Sequence, residues 1–207
     1  MTHIGHSEKV LVMRLFIIVL VLIFSLQSWT KADDIRDFEI EEISIGDSLL
    51  DHFTKAEIEE NRLEFTESSN KKYSYSEISN IFKDYTNLQF FYKRQDSNYK
   101  IESIGGILFY ENNIDECLLK KEEILKDIKT ILSDETKILE DVARAHSEAY
   151  PNSLIWTTNF LYKNEDLIRI YCTDWSKDIE NSRGWTDHLS ISFLTKDFMY
   201  FLNNEAY

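Results

Sequence analysis

Ten apolar residues, Leu15 to Phe24, run without a break directly after Arg14, and no comparable run recurs in the chain. As a helix, ten residues reach about 15 Å, roughly half of a bilayer's hydrocarbon core. That length suits the h-region of a secretory signal better than a permanent span. Ser25, Gln27 and Ser28 then turn the chain polar, and Thr30 and Ala32 stand three and one positions before a cut ahead of Asp33. A basic flank, a short apolar run and a small-x-small site are the parts of a signal peptide. The pattern predicts a signal peptide over residues 1–32 and a mature protein over 33–207, periplasmic or secreted, with no stable membrane span after cleavage. An uncleaved anchor is the competing reading. Translation from Met1 or from Met13 leaves a functional signal in either case. The absence of a cysteine near the cut argues against a lipoprotein.

The leader would remove Lys9, Arg14 and Lys31 but only Glu8, leaving 20 basic against 36 acidic side chains in the mature part. A surface of that sign repels phosphate backbones and anionic headgroups, so nucleic acid is not an expected partner. Solubility is the plain reading of the acidity. The acidic stretch Asp33, Asp34, Asp37, Glu39, Glu41 and Glu42 lacks the loop spacing of a calcium site and reads as a solvated segment. The mature length matches one domain with a core of its own.

Periodicity places the elements. Thr54-x-x-Glu57 is a capping box opening a short helix. Lys72–Ile78 reads as a strand. Leu88, Phe90 and Tyr92 alternate with Gln89, Phe91 and Lys93, and 99–110 returns as a partner strand with Gly105-Gly106 as an expected bulge. Asn113 with Glu116 opens a helix whose apolar positions, Ile114, Cys117, Leu118, Ile124, Leu125, Ile128, Ile131 and Leu132, fall at helical spacing. Ile138, Leu139, Val142 and Ala145 predict a second helix ending before Pro151. Residues 154–162 and 167–173 form a second hairpin, 189–193 a further strand, and Thr195 caps a last helix with Phe198 and Phe201 inward. The expectation is an α+β fold: an antiparallel sheet of about five to six strands built from hairpins, with helices packed mainly on one face.

Gly46-Asp47-Ser48-Leu49 spells the block of the GDSL (SGNH) hydrolases and so resembles that family near its nucleophile. The resemblance implies Ser48 as an acyl nucleophile with a histidine base, for which His188 is the candidate. A serine hydroxyl needs such a base and oriented oxyanion donors. The family's D-x-x-H is missing, because Leu49, Ala143 and Trp185 stand three residues before His52, His146 and His188. Its G-x-N-D block and its β/α alternation are missing too. Asp47 or Ser48 as a helix N-cap is the alternative.

Cys117 and Cys172 are the only cysteines. Both fall on apolar faces, and in an oxidising compartment they either pair or stay as two buried thiols. No cysteine or histidine spacing matches a metal site, and no cofactor motif is present. Trp156, Phe160, Tyr162, Tyr171, Trp175 and Trp185 crowd the second half. On strands such residues serve a core or cross-strand pairs, or line a groove for a sugar or peptide. Trp175 and Trp185 flank the polar loop 176–184 and are the candidates for binding.

The block Asp34-Ile35-Arg36-Asp37-Phe38-Glu39-Ile40-Glu41 with Ile43 to Leu50, and the ending Thr195-Lys196-Asp197-Phe198 with Leu202 to Tyr207, resembles a group of uncharacterised small exported proteins of marine alphaproteobacteria. The resemblance implies a bacterial envelope setting and brings no activity, ligand or catalytic residue. It also implies that the GDSL string belongs to that group's own N-terminal block. Three functions stand as expectations: a non-catalytic periplasmic protein that binds an unknown ligand or envelope protein, a serine hydrolase using Ser48, and a structural or assembly factor of the envelope.

Overall fold

The computed structural model describes residues 31–65, 72–140, 143–147 and 149–206. The signal peptide expected at 1–32 lies outside the described residues up to residue 30. Ala32 belongs to the fold, with its N–H donating to Ile131 O at 2.8 Å.

The chain opens with a 3-10 turn at Ile35–Asp37, capped by Asp34, and a second at Leu49–Asp51, capped by Ser48. Helix α1 (Lys55–Glu60) follows, held by the reciprocal Thr54–Glu57 box. Strands β1 (Arg62–Glu64), β2 (Tyr73–Ser79), β3 (Asn87–Lys93) and β4 (Ile101–Phe109) lead into the long helix α2 (Ile114–Ile131). Then come β5 (Lys137–Glu140), β6 (Arg144–Ser147), β7 (Tyr150–Leu161) and β8 (Leu167–Asp174). Helix α3 (Lys177–Arg183), β9 (His188–Leu194) and helix α4 (Lys196–Asn204) complete the order.

Among the described residues nine strands form one sheet, in the order β1-β2-β3-β4-β9-β8-β7-β5, with β6 also on the outer edge of β7. Every strand pairing is antiparallel, which bears out the α+β class, but the sheet is wider than the five to six strands expected. Three of the extra strands are short edge pieces. Two of them, β5 and β6, stand where the helix is expected at Ile138, Leu139 and Ala145; Val142 lies outside the described residues. The apolar spacing there suits a helix, yet Ile138 and Leu139 stay 42% and 40% exposed, so a helix face would have found no core to bury against. The twelve-residue β7 instead offers a long row of unpaired backbone groups, and pairing them outweighs a weak helical pattern.

The helices also depart from the expected single face. Helix α2 lies across β8 and β9 on one side, where the N-terminal segment also packs. There Ile35, Phe38, Ile40, Ile43 and Leu49 meet Leu88, Phe90, Ile168, Ile170, Ile191 and Phe193. Helix α4 lies on the opposite side, where Phe198 and Phe201 pack on Tyr73, Leu167 and Leu194. The physical cause is parity: residues of odd and even number in one strand face opposite ways, and both sets carry apolar side chains at the Leu194 end.

Gly105 and Gly106 pair in unbroken register on both sides, so the expected bulge is not there; the ladder shifts at Phe91/Tyr92 instead. Gly106 answers to sterics. A Cβ on it would come 2.5 Å from the Tyr85 ring, which covers it. Cys117 of α2 and Cys172 of β8 are joined by a disulfide, tying the helix to the sheet beside Leu189.

Candidate functional site

The register builds a polar floor on the sheet face that α2 does not cover. Reading across the strands, Glu77, Gln89, Gly105, Ser192, Arg169 and Asn159 stand in one row. The next row is Asn87, Ile107, Ser190, Tyr171 and Thr157, and the one beyond it is Phe109, His188, Thr173 and Ile155. Cross-strand neighbours sit about 5 Å apart, so each row is a continuous strip. Glu77 is held by two neutral amides: Asn87 Nδ2 donates to one oxygen at 2.8 Å and Gln89 Nε2 to the other at 2.7 Å. Arg169 Nε donates to Asn159 Oδ1 at 3.0 Å.

An aromatic wall rises from this floor where the chain leaves β8. Trp175 N–H donates to Asp187 Oδ1 at 2.7 Å, and Ser176 N–H to Ser153 Oγ at 3.1 Å, so both flanks of the β8–α3 junction are pinned. Gly184 ends α3 in the left-handed region at φ 68°, which turns the chain back toward the sheet and delivers Trp185. Trp175 is buried at 7% exposure and Trp185 stands open at 37%. Their ring centroids lie 4.6 Å apart. Tyr150 meets Trp185 edge-on at 5.4 Å, and His146 packs at a tilt against Trp175 at 4.4 Å. Wall and floor enclose an open groove of about 530 Å³ that Glu77, Gln89, Ile107, Phe109, Tyr171 and His188 also line. That volume lies in the range of small-molecule sites.

The surroundings of His188 and His146 disfavour the charged form of both rings. Burial pushes the His188 pKa down, and its Nδ1 lies 3.0 Å from Thr186 O, which places the proton on Nδ1 and leaves Nε2 as the acceptor. Burial also lowers His146, with His188 and Arg144 adding to the effect. Three buried polar atoms near the wall have no hydrogen-bond partner among the described residues: His146 Nδ1, Thr157 Oγ1 and Thr173 Oγ1. Orphaned groups of this kind are rare in folded proteins and costly to keep.

Of the residues singled out from sequence, Trp175, Trp185 and His188 come together in the groove, joined by Tyr171. Trp156 packs instead beside the Cys117–Cys172 cluster on the helix face, and Phe160 and Tyr162 enter the main core. Ser48 lies elsewhere. It bridges Lys100 just before β4 begins, whereas His188 pairs with Phe109 at the far end of that strand, about 30 Å away along it. The Ser48 hydroxyl donates to Asn98 O at 2.6 Å and accepts from Leu50 N–H at 3.2 Å, the N-cap role. His52 approaches Asp47 at 3.7 Å. Among the described residues no histidine hydrogen-bonds to Ser48.

Arg169, Tyr150, Glu77 and Gln89 were not singled out from the sequence. Arg169 carried a signal: a lone arginine alternating with Ile168 and Ile170 on a strand faces away from the core. Among the described residues no group of three or more His, Cys, Asp or Glu is placed to hold a metal ion, and no helix is long and apolar enough to cross a membrane.

Fold and site together define an antiparallel α+β domain with an aromatic-walled groove on the open face of its sheet. Comparison of the chain with protein-family models, with curated proteins and with solved structures found no significant match.

Proposed function

We propose that the mature chain is a non-catalytic binding protein of the bacterial envelope that holds a small ring-bearing molecule in the groove beneath Trp185. The observation that carries this reading is the convergence of an exposed tryptophan, a wall of packed rings and a polar floor in one cavity. An aromatic face takes a flat or puckered ring, and a few polar groups below it orient the ligand. The Nδ1 of His146, a residue that lines the groove, has no partner among the described residues and is a polar group for such a molecule. The engagement of Ser48 with the Asn98 backbone favours binding over acyl transfer. The Cys117–Cys172 bridge fits an oxidising compartment and the leader that precedes the domain.

The test uses the mature, oxidised protein and indole-3-acetamide as a neutral ring probe, followed by calorimetry and by the tryptophan indole N–H signals in NMR. The expected result is saturable binding that weakens about tenfold or more in Trp185→Ala, with the melting temperature nearly unchanged. Equal binding by Trp185→Ala, or no binding at millimolar probe, overturns the reading.

A further inference from the structure

Arg169 is a half-buried cation without a counter-ion. It makes no ion pair with any described residue, although the chain carries 37 carboxylate side chains. Arg36 lies 2.9 Å from Asp34, Arg62 3.0 Å from Glu64 and Arg94 3.6 Å from Glu64, each against a carboxylate. Arg169 differs. Its only hydrogen bond comes from Nε to Asn159 Oδ1, so Nη1 and Nη2 have no protein acceptor among the described residues. The neighbouring charge is another cation, Arg144, whose repulsion adds to the effect of burial in lowering the Arg169 pKa. Half-burying an arginine without a counter-ion is unfavourable unless an anion joins it.

Its position ties this charge to the groove. Arg169 stands two residues before Tyr171 on the same face of β8, about 7 Å along the strand from a residue that lines the cavity. Thr157, whose buried hydroxyl has no partner, pairs with Tyr171 on the adjoining strand, and Ser192 faces Arg169 across the other. With Nε fixed by Asn159, the two terminal nitrogens present a planar fork, the geometry that takes a carboxylate bidentately.

We infer that Arg169 is the anion-binding end of the groove, and that the ligand is a small organic acid whose ring lies against Trp185 and whose carboxylate is held by the Arg169 fork. The inference rests on the groove being a ligand site and adds the chemical class of the ligand. A net-negative protein repels a free acid at long range, so an arginine without an ion pair among the described residues, two positions from the groove-lining Tyr171, is the device that reverses this locally.

The experiment compares indole-3-acetate with indole-3-acetamide, which share a ring and differ in charge, on the mature oxidised protein. The expected outcome is at least tenfold tighter binding of the acid, lost in Arg169→Gln and partly kept in Arg169→Lys, with amide affinity unchanged in both. A second readout needs no variant: the Arg169 Nε–H resonance shifts on adding the acid and stays in place with the amide. Equal wild-type affinities for the two probes overturn the inference while leaving the groove reading intact. So does an acid preference that survives in Arg169→Gln. Failure of both probes to bind overturns the inference and the groove reading together.

Discussion

The two faces of the one sheet are built on opposite terms. The helix face is apolar from β3 to β8, covered by α2 and the N-terminal segment, and clamped by Cys117–Cys172. The open face carries polar side chains over the same strands, is covered only at its Leu194 end by α4, and leaves buried hydroxyls without partners. A face that only needed to be wet would expose its polar groups fully. This one half-buries Arg169, Gln89 and Glu77 and raises an aromatic wall beside them. The packed core resides on one side and the proposed ligand groove on the other, and adjacent residues of a single strand face both.

Adjacent residues therefore give the sharpest break. Phe90 is fully buried on the helix face, and Phe90→Ala is expected to cost about 3–5 kcal/mol of unfolding free energy in urea. Its neighbour Gln89 faces the floor, and Gln89→Ala is expected to cost about 1 kcal/mol, the worth of its bond to Glu77. Equal costs would show that the open face is a second structural core, and the comparison would fail.

The disulfide is next. It closes a loop with a sequence separation of 55 and acts only on the helix face, so Cys117→Ala/Cys172→Ala should lower stability by about 2–4 kcal/mol. The ring contacts around Trp185, followed by near-ultraviolet dichroism of the folded variant, should be unchanged. A collapse of that signal would mean that the wall depends on the clamp.

The smallest effect is the one in pH. His188 and His146 both have folded pKa values pushed below the ordinary 6.5. Above pH 6.5 the rings are neutral in the folded and unfolded chains, and they contribute no slope. Below it the unfolded chain takes up protons that the folded chain refuses, so stability falls as pH drops through 6.5 toward 5. Carboxylates that are lowered, such as Glu57, Glu59 and Glu140, lose their contribution only below their ordinary value of 4.5, while Asp174 and Asp187, raised by burial, add stability as pH falls and oppose the histidine slope. His188→Gln should flatten the slope between pH 5 and 7 in melting experiments; an unchanged slope would place the titrating group elsewhere.

Much of the architecture was legible in local pattern. The Thr54–Glu57 box, the Asn113 and Thr195 caps, the alternation through Leu88–Tyr92 and the 154–173 hairpin all form where the residues indicate, because caps and period-two burial are decided within a few neighbours. The misreadings share a cause. Residues 137–140 and 144–147 fall in a stretch with helical spacing, but the free edge of β7 decides their state. Gly105-Gly106 looks like a bulge until Tyr85 is seen lying on Gly106. For the site, Trp175 and Trp185 were visible as aromatics around a polar loop. Nothing local told which one is the buried support and which the exposed surface.

The sequence by itself determined which residues alternate, where helices start, and that one end of the chain carries a short apolar run, since each depends on near neighbours along the chain. Only the tertiary structure decided that Glu77 and Arg169 share a row, that Cys117 reaches Cys172, and that Ser48 and His188 lie at opposite ends of β4. Strand register sums many weak pairings over long loops. It is settled by which face finds apolar cover, and no single stretch of the chain contains that information.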